Sequence, residues 1–449
     1  MNIKSQQAKN SFLFIFIYLC SLSLQPAFAT QSKEVITTDI WAATATVFKL
    51  VGEKAVNNVK LNWMQREDAD LYRIYRDGNC IGEAKGNTYD DYNLKADKTF
   101  TYHVEAFKEG KKIATSASQQ ATTFTPNGET KVYDNLNGKY ITKESAQKPQ
   151  GMKIGELYFS YKMENVEKEV DGQTLKGWLA TESFSPTGLN GSWSTSRELA
   201  FYPNVKFEGI AFRYNAKTGK VVLSAHYEDQ SGYVAAKIYL AQITPKGELE
   251  VGTMERPLGY DSRDQSLFID DDGTAYLLSA TNMNRDINIY KLDPSWTKPV
   301  LLVNTICKGL HRETPAIIKK DGEYYFFSSK ASGWYPSQTM YTSAADLGGE
   351  WTPMREIGNN STFDAQFNRI STVGKTCGVW SYHWGAQRKY KTPAGNFPRI
   401  SIAAFNKGYA SMDYYRYLEF SDKYGIIPVQ NGKNLTLNVP VTADRKSVV

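Results

Sequence analysis

The sequence predicts an all-β protein in which an immunoglobulin-like β-sandwich precedes a five-bladed β-propeller. Three observations predict this fold. Residues 41–125 alternate apolar and polar side chains with the two-residue period of strands. Farther along, a pattern of strand, glycine turn and strand recurs at intervals of about 50 residues. Near the start of each of these repeats stands a carboxyl or carboxamide side chain, namely Glu208, Asp264, Glu313 and Gln366.

Residues 1–29 have the features of a secretory signal peptide. Lys4 and Lys9 precede an apolar run at 12–24, and an Ala-Phe-Ala cleavage site ends at Ala29. The apolar run is too short for a helix that spans a membrane. We therefore expect cleavage after Ala29, no membrane span, and a secreted or periplasmic protein.

The composition of the chain argues against some classes of binding partner and cofactor. The chain of 449 residues carries a net charge of +6, and its basic residues are scattered among acidic ones. Nucleic acid is therefore not an expected partner. The cysteines beyond the signal peptide are odd in number and far apart, and the four histidines show no metal-binding spacing. We expect neither a disulfide framework nor a metal ion or other cofactor. The 13% of aromatic residues suits sugar stacking or simple filling of strands.

The predicted sandwich occupies residues 41–125. Its clearest strands are Val59–Trp63, Leu71–Arg76 and Thr99–Phe107, and Asp77-Gly78-Asn79 forms a hairpin turn after the second. An early Trp and a late Tyr are typical of such a sandwich. The segment resembles a fibronectin type III domain in its Trp, its YRIYRDG stretch and its TYHVEAF stretch. The resemblance implies a spacer or docking module more than direct sugar binding, and a Pro/Gly linker follows at 125–128.

The predicted propeller occupies residues 130–449. Four blades begin near 205, 262, 311 and 362, and a weaker first blade contains a turn at Gly155 with a degraded partner strand at 142–149. A strand at 435–441 is a candidate to close the ring. Because propeller blades direct their innermost strands to one axis, the four polar residues should converge. Two or three carboxylates in one pocket are what cleavage of a glycosidic bond requires.

Residues from about 200 to 390 resemble glycoside hydrolase family 43, within its exo-acting β-1,3-galactanase-like branch. The resemblance is carried by four motifs in matching order, which are FEGIAFRYNAKTGKVVLSAHY, SRDQSLFIDDDGTAYLL, HRETPAIIKKDGEYYFFSSKASGWYPSQ and STFDAQFNRI. It implies a five-bladed propeller enzyme that hydrolyses O-glycosyl bonds of plant-type polysaccharide side chains. Its substrate would be an oligo- or polysaccharide.

The resemblance also implies roles for the four residues. Glu313 matches the general acid, and Asp264 matches the carboxylate that keeps the pKa of the acid high and orients it. Glu208 matches a residue that grips the sugar in the terminal subsite. Gln366 matches a residue that positions the attacking water, as an amide or as its imidic tautomer. Most family members also carry a base Asp in blade one, but the stretch at 144–147 offers only Glu144, which is out of step.

Elementary chemistry agrees with these roles. A general acid must be protonated near neutral pH, which requires burial or a like charge nearby, and Asp264 is placed to supply that charge. An inverting enzyme also needs room for a water between its two sides, and opposed blades are expected to provide the gap. Simpler alternatives stay open: a solvated or paired Glu313, an Arg263–Asp264 ion pair, and a buried, paired Glu208.

Three aromatic side chains are candidates for stacking on a sugar ring. Trp334 and Tyr335 lie in a loop flanked by Gly and Pro after the predicted acid-bearing hairpin, and Trp384 follows the fifth hairpin beside His383. Ordinary packing is the alternative for each. The acidic turn at 270–273 lacks the spacing of an EF-hand and is expected to be a solvated hairpin turn.

The sequence therefore favours an exported, inverting exo-β-1,3-galactosidase or galactanase. An arabinofuranosidase or β-xylosidase of the same family is a second interpretation. A propeller that has lost its base and only binds glycans is a third.

Overall fold

The computed structural model describes residues 40–48, 56–123, 132–140, 151–188, 191–229, 232–386, 395–421 and 425–428. The predicted signal peptide, the linker, Glu144, the strand at 142–149 and the closing strand at 435–441 lie outside these residues. Within them the chain is built from strands, with one short 3-10 turn at Pro257–Gly259, so the predicted all-β class is confirmed.

The first eight strands form the predicted sandwich of two sheets. One sheet has the order β1-β2-β5, and the other has the order β4-β3-β6-β7 with β8 also paired to β6. Trp63, Tyr72 and Tyr102 are fully buried between the sheets. The strands are β1 (Ile40–Phe48), β2 (Val56–Trp63), β3 (Leu71–Arg76), β4 (Asn79–Ala84), β5 (Thr88–Leu94), β6 (Thr99–Lys108), β7 (Lys111–Thr115) and β8 (Gln119–Thr122).

Turn chemistry explains where the hairpins close. Asp77 and Gly78 have φ values of 48° and 82°, and Asp321 and Gly322 have φ values of 50° and 84°. Both residues of each turn are thus left-handed, as in the type I′ turn that matches the twist of a two-residue hairpin. The Asp-Gly pairs in the sequence therefore fix these strand registers directly.

A small sheet follows the sandwich and combines two distant parts of the chain. Its order is β10-β9-β31-β32. Its strands are β9 (Val132–Asp134), β10 (Lys139–Tyr140), β31 (Tyr417–Ser421) and β32 (Gly425–Pro428). Tyr133 and Leu418 from this sheet pack with Ile400 and Ile402 of the fifth blade.

Five four-stranded antiparallel sheets, the blades, account for the rest of the described residues. Blade one contains β11 (Met152–Ile154), β12 (Leu157–Val170), β13 (Gln173–Ser185) and β14 (Arg197–Pro203). Blade two contains β15 (Lys206–Asn215), β16 (Lys220–Glu228), β17 (Lys237–Ile243) and β18 (Leu249–Glu255). Blade three contains β19 (Gln265–Ile269), β20 (Ala275–Thr281), β21 (Asp286–Leu292) and β22 (Pro299–Ile306). Blade four contains β23 (Arg312–Lys320), β24 (Glu323–Lys330), β25 (Met340–Ala344) and β26 (Arg355–Glu356). Blade five contains β27 (Gln366–Val373), β28 (Thr376–Trp384), β29 (Asn396–Asn406) and β30 (Tyr409–Tyr414).

Successive blades are joined by shared apolar cores. Leu240 of blade two packs with Leu277 of blade three, and Phe327 of blade four packs with Phe367 of blade five. The acidic turn at 270–273 contributes a polar link, since Asp270 is ion-paired with Lys319 at 2.8 Å. This turn was expected to be merely solvated, but its first residue bridges blades three and four.

The sandwich is anchored to blade five rather than only tethered to it. Lys60 on β2 forms an ion pair with Asp413 on β30 at 3.1 Å, and only 4% and 10% of these two side chains are exposed. Ile427 on β32 joins the apolar core of the sandwich. A buried ion pair requires both partners, because a single buried charge is costly. The sandwich, predicted to be a spacer or docking module, therefore shares a buried ion pair with blade five.

Candidate active site

The four polar residues singled out in the repeats stand at the starts of successive innermost strands. Glu208 lies on β15, Asp264 immediately precedes β19, Glu313 is the second residue of β23, and Gln366 is the first residue of β27. Gln366 contacts Glu313 directly, and Asp264 contacts the residue that follows Glu313. The Thr314 backbone N–H donates to Asp264 Oδ2 at 3.0 Å, and Gln366 Nε2 donates to Glu313 Oε1 at 2.6 Å.

A bulge after Glu313 aims its side chain. The register of β23 against β24 shifts between Glu313 and Ala316, and the bulge holds Thr314 at a φ of 53°. A left-handed conformation is rare for a β-branched residue, so it requires local support. The N–H bond to Asp264 gives this support, together with a hydrogen bond of 2.9 Å between the hydroxyls of Thr314 and Ser329. Pro315 fits here because a bulge frees it from donating to the ladder.

Glu313 has the electrostatic setting of a general acid. Burial and the nearby Asp264 charge raise its pKa to about 7, while hydrogen bonds from the Ser332 N–H and Gln366 partly oppose the rise. Arg312 points away and donates to Ser328 Oγ at 3.0 Å and to the Gln338 carbonyl oxygen at 3.1 Å. A carboxyl group that is about half protonated at neutral pH is suited to proton transfer.

Asp264 shares this pocket. Burial raises the pKa of its carboxyl, and the Thr314 N–H bond opposes that rise. Arg263 lies 3.9 Å from Asp261 and donates to the Tyr233 carbonyl oxygen at 3.0 Å. The guanidinium of Arg263 is thus directed to other partners, which weakens the ion-pair alternative for Asp264.

Glu208 behaves differently from the other two carboxyl groups. Its Oε1 accepts from Tyr233 Oη at 2.6 Å and lies 3.0 Å from Lys206 Nζ, while its Oε2 lies 3.6 Å from His226 Nδ1. Burial would raise its pKa, but the nearby His226 imidazole and the close contacts with Tyr233 and Lys206 outweigh burial and bring the pKa to about 2. Glu208 is thus a fixed anion that accepts hydrogen bonds, as a sugar-binding group must. It is also a paired Glu, as the simpler alternative had it.

Gln366 is buried and held at both ends of its amide. Its Nε2 contacts Glu313, and its Oε1 accepts from Trp384 Nε1 at 2.8 Å. Inverting glycosidases separate their two catalytic groups by about 6.5–9.5 Å to hold a water. In this conformation Gln366 touches the acid instead, so the expected gap is not found between these two residues.

The aromatic candidates divide into two kinds. Trp334 and Tyr335 lie in the loop after β24 with 54% and 51% of their surfaces exposed, so both side chains offer surface to a ligand. Trp384 instead donates to Gln366 and packs against Tyr382 with ring centroids 4.4 Å apart. Its observed contact with the site is polar, and its stacking on a sugar ring stays a prediction.

Sequence reasoning missed Asn284. Its Nδ2 donates to Glu313 Oε2 at 3.3 Å from a turn in which three consecutive residues, 282–284, have φ values of 51°, 55° and 62°. Asp261 holds this turn by accepting from the N–H groups of Asn282 at 2.7 Å and Met283 at 3.0 Å. Asn tolerates left-handed conformations, so the Asn-Met-Asn sequence was a usable signal for a tight turn.

The backbone N–H of Ser332 is a second contact that the sequence did not reveal. It donates to Glu313 Oε1 at 3.2 Å, and the Ser332 hydroxyl donates to the Tyr335 carbonyl oxygen at 3.0 Å. The exposed aromatic loop and the acid are thus linked through one residue. A backbone donor has no side-chain signature, which is why pattern reading could not find it.

Asp364 lies two residues before Gln366 but belongs to another cluster. Its Oδ2 is 3.1 Å from His383 Nδ1 and 3.7 Å from an Arg399 guanidinium nitrogen. His383 and Trp384 are successive residues of β28, so their side chains point to opposite faces of the blade. Asp364 is therefore directed away from the face where Gln366 meets Glu313.

Two general features of the described residues complete the picture. They contain no group of three or more His, Cys, Asp and Glu side chains arranged to hold a metal ion. They also contain no helix that is long and apolar enough to cross a membrane.

Comparison with known proteins agrees with this geometry. Residues 250–376 match the family described as glycosyl hydrolases family 43. An exo-β-1,3-galactanase from Clostridium thermocellum is 26% identical, with a TM-score of 0.51 over 67% of this chain and 68% of that chain. An exo-β-1,3-galactanase from Phanerochaete chrysosporium, solved with β-1,3-galactotriose, is 22% identical with a TM-score of 0.50, covering 67% of this chain and 69% of that chain. A search of curated proteins finds no match.

The match to the family falls on blade three, blade four and the start of blade five, where Asp264, Glu313 and Gln366 meet. The resemblance inferred from four sequence motifs is thereby confirmed. The segment at 250–376 is thus similar to glycosyl hydrolase family 43, and the chain is a glycosidase that acts on a carbohydrate substrate.

Proposed function

We propose that this glycosidase is an exported, exo-acting enzyme that removes terminal galactose from β-1,3-linked galactan with inversion at the anomeric carbon. The observation that carries the proposal is the partly buried Glu313, whose pKa is raised to about 7 beside Asp264 and in contact with Gln366. The Clostridium thermocellum relative, named as an exo-β-1,3-galactanase, supports the choice of sugar and linkage.

The proposed roles follow from the protonation states. Glu313 donates its proton to the glycosidic oxygen as the bond from that oxygen to the anomeric carbon breaks. Asp264 helps keep Glu313 protonated before the reaction. Glu208, an anion at all ordinary pH values, accepts hydrogen bonds from sugar hydroxyl groups.

The water that attacks the anomeric carbon is assigned to Gln366, although this amide contacts Glu313 in the unliganded enzyme. Hydrogen bonds in unliganded active sites commonly rearrange when substrate enters. Under this proposal, substrate separates Gln366 from Glu313 and the freed amide holds the water. A direct test compares Gln366→Ala with Glu144→Gln. Loss of about 10²-fold or more in rate for Gln366→Ala, with little change in sugar binding, would support the assignment. An inactive Glu144→Gln enzyme beside an active Gln366→Ala enzyme would transfer the role to Glu144.

Trp334 and Tyr335 are proposed to contact the substrate beyond the scissile bond. Both are large, exposed aromatic side chains, and their loop is bonded to Ser332, which in turn contacts the acid. Aromatic faces pack well against the C–H faces of sugars. Trp384, by contrast, is proposed to act on Gln366 rather than on sugar.

The second candidate activity is an arabinofuranosidase or β-xylosidase, and the third is glycan binding without hydrolysis. One assay separates all three. The mature chain is incubated with arabinogalactan, β-1,3-galactan, arabinan and xylan, and the released sugar and its anomer are identified by NMR. Release of β-linked galactose as the α-anomer supports the proposal. Release of arabinose or xylose alone, or binding with no release, would overturn it.

Export is proposed from the sequence at 1–29. Expression of the full chain in a bacterial host, followed by N-terminal sequencing of exported protein, tests it. A mature N-terminus at Thr30 supports export, and retention of Met1 on a cytoplasmic protein would contradict it.

A further inference from the structure

We propose that Trp384 is a positioning residue that fixes the amide of Gln366 and thereby places the transferable proton of Glu313 on Oε2, the oxygen that faces Asn284, before substrate separates Gln366 from Glu313. The inference rests on the proposed role of Glu313 as the acid and adds which of its two oxygens delivers the proton. It uses three sets of contacts around the Glu313 carboxyl group.

The first set of contacts excludes Oε1 of Glu313 as the oxygen that carries the proton. This oxygen accepts from Gln366 Nε2 at 2.6 Å and from the Ser332 backbone N–H at 3.2 Å. A hydrogen on Oε1 would face two N–H hydrogens and leave at least one donor without an acceptor. The Ser332 N–H cannot be reversed, because it belongs to the backbone.

The second set explains why Gln366 cannot turn its oxygen toward Glu313. An amide has a donor end and an acceptor end, but an indole N–H only donates. Trp384 Nε1 lies 2.8 Å from Gln366 Oε1, so the oxygen must face Trp384 and the NH₂ group must face Glu313. The Trp384 ring is itself held against Tyr382 at a centroid separation of 4.4 Å.

The third set of contacts allows Oε2 of Glu313 to carry the proton. Asn284 Nδ2 donates to Glu313 Oε2 at 3.3 Å, while Asn284 Oδ1 is buried and has no hydrogen-bond partner among the described residues. Rotation of this amide by half a turn would bring Oδ1 to Oε2 as an acceptor. Asn284 therefore suits both states of the acid: it donates to the carboxylate and accepts from the protonated acid.

The consequence for the reaction is a directed proton transfer. The proton on Oε2 moves to the glycosidic oxygen, which keeps the electron pair of the breaking bond to the anomeric carbon. Water supplies the new hydroxyl group on that carbon and releases a proton. Glu313, left as a carboxylate, is reprotonated from solvent while Asn284 turns back to donate.

The charged groups around Glu313 and Asp264 are the same in the wild type and in the test variants. Asp264 and Arg312 act on Glu313, and Glu208, His226 and Arg263 act on Asp264. None of them is altered when Trp384 or Asn284 is replaced. A change in pH profile would therefore report on the hydrogen bonds to Glu313 and not on a lost charge.

The main test is Trp384→Phe, which keeps an aromatic ring but removes the N–H donor. The matched control is Trp380→Phe on the same strand, where the ring faces the Arg369 guanidinium at 5.0 Å. The rate on β-1,3-galactobiose is compared with the rate on a dinitrophenyl galactoside, whose leaving group needs no acid. The basic limb of the pH profile is followed for both substrates.

We expect Trp384→Phe to lower kcat on the galactobiose about 10-fold, a part of the roughly 10²–10⁴-fold that a general acid supplies. Its basic limb should move to higher pH, because a freed Gln366 can accept from protonated Glu313. The dinitrophenyl substrate should lose less activity, since it needs the water that Gln366 positions but not the acid, and the Trp380→Phe enzyme should be nearly unaffected on both substrates. Trp384→His, which keeps an N–H donor, should restore part of the loss.

Asn284→Ala is an independent test that leaves blade five intact, so it applies even if Trp384→Phe folds poorly. It should lower kcat on the galactobiose far more than on the dinitrophenyl substrate. Equal losses on both substrates with an unchanged pH profile, in both variants, would overturn the inference. Full activity of Glu313→Gln would instead overturn the proposed function itself, so the two failures are distinguishable.

Discussion

Replacing Glu313 with glutamine should stabilise the protein against unfolding above neutral pH while it abolishes hydrolysis. The side chain keeps its size, and its amide can accept from Gln366 and donate toward Asn284, so the hydrogen bonds of the site are retained. What disappears is the cost of carrying a charge in a pocket that raises the pKa to about 7 from the ordinary 4.5.

The sign and size of this stability change follow from the linkage between proton binding and folding. A group with a raised pKa in the folded state contributes stability below its unfolded pKa, and this contribution is lost as pH rises through the folded pKa. The window for Glu313 is therefore pH 4.5 to 7. At roughly 1.4 kcal/mol per tenfold change, the wild-type enzyme loses at most about 3 kcal/mol of stability across this window, and Glu313→Gln does not.

The assay is urea unfolding of the wild type and Glu313→Gln at pH 4.5 and pH 8, followed by tryptophan fluorescence. The free-energy advantage of Glu313→Gln should grow with pH by about 1–3 kcal/mol. Glu156→Gln, at an exposed glutamate of blade one, is the control and should show no such growth. An advantage that is the same at both pH values would refute the claim that burial raises the pKa of Glu313.

Three further perturbations follow from contacts at the site and at the sandwich. Asp264→Asn removes the negative charge beside Glu313, so the pKa of Glu313 should fall and the basic limb of the kcat/KM profile should move to lower pH. A basic limb that moves to higher pH would contradict this role of the Asp264 charge. Lys60→Met leaves Asp413 buried and unpaired and should lower the free energy of unfolding in urea by about 3–5 kcal/mol. The control Lys176→Met breaks an exposed ion pair and should lower it by less than about 1 kcal/mol. Equal effects of the two variants would contradict the anchoring role of Lys60. Trp334→Ala should raise KM for polymeric galactan while kcat on an aryl galactoside stays unchanged, and an unchanged KM would remove Trp334 from the substrate path.

Much of the fold could be predicted because its signals are local. The Asp-Gly turns fix the hairpins, and polar residues recur at the starts of inner strands at blade-sized intervals. The convergence of Asp264, Glu313 and Gln366 followed from that periodicity alone, since inner strands of successive blades share one axis.

The remaining features depend on the directions of individual side chains, which the periodicity of the sequence does not determine. The sequence predicts Trp384 as a stacking residue but does not show that its N–H also meets Gln366. Asn284 is aimed at the acid by three left-handed residues and by Asp261, which lies outside the strand pattern. The docking of the sandwich on blade five includes a lysine whose partner is 353 positions away in the chain.

That long-range pair changes how the chain can be dissected. Lys60 ties the sandwich to β30, the edge strand of the sheet that begins with Gln366, and Ile427 ties the sandwich to the small sheet beside it. Cutting the chain at the predicted linker would expose an unpaired carboxylate and an apolar seam. A truncated enzyme that fails would then report a lost folding partner and not a lost sugar-binding module. Domain boundaries drawn from sequence alone would divide the chain across a buried ion pair and a shared apolar contact.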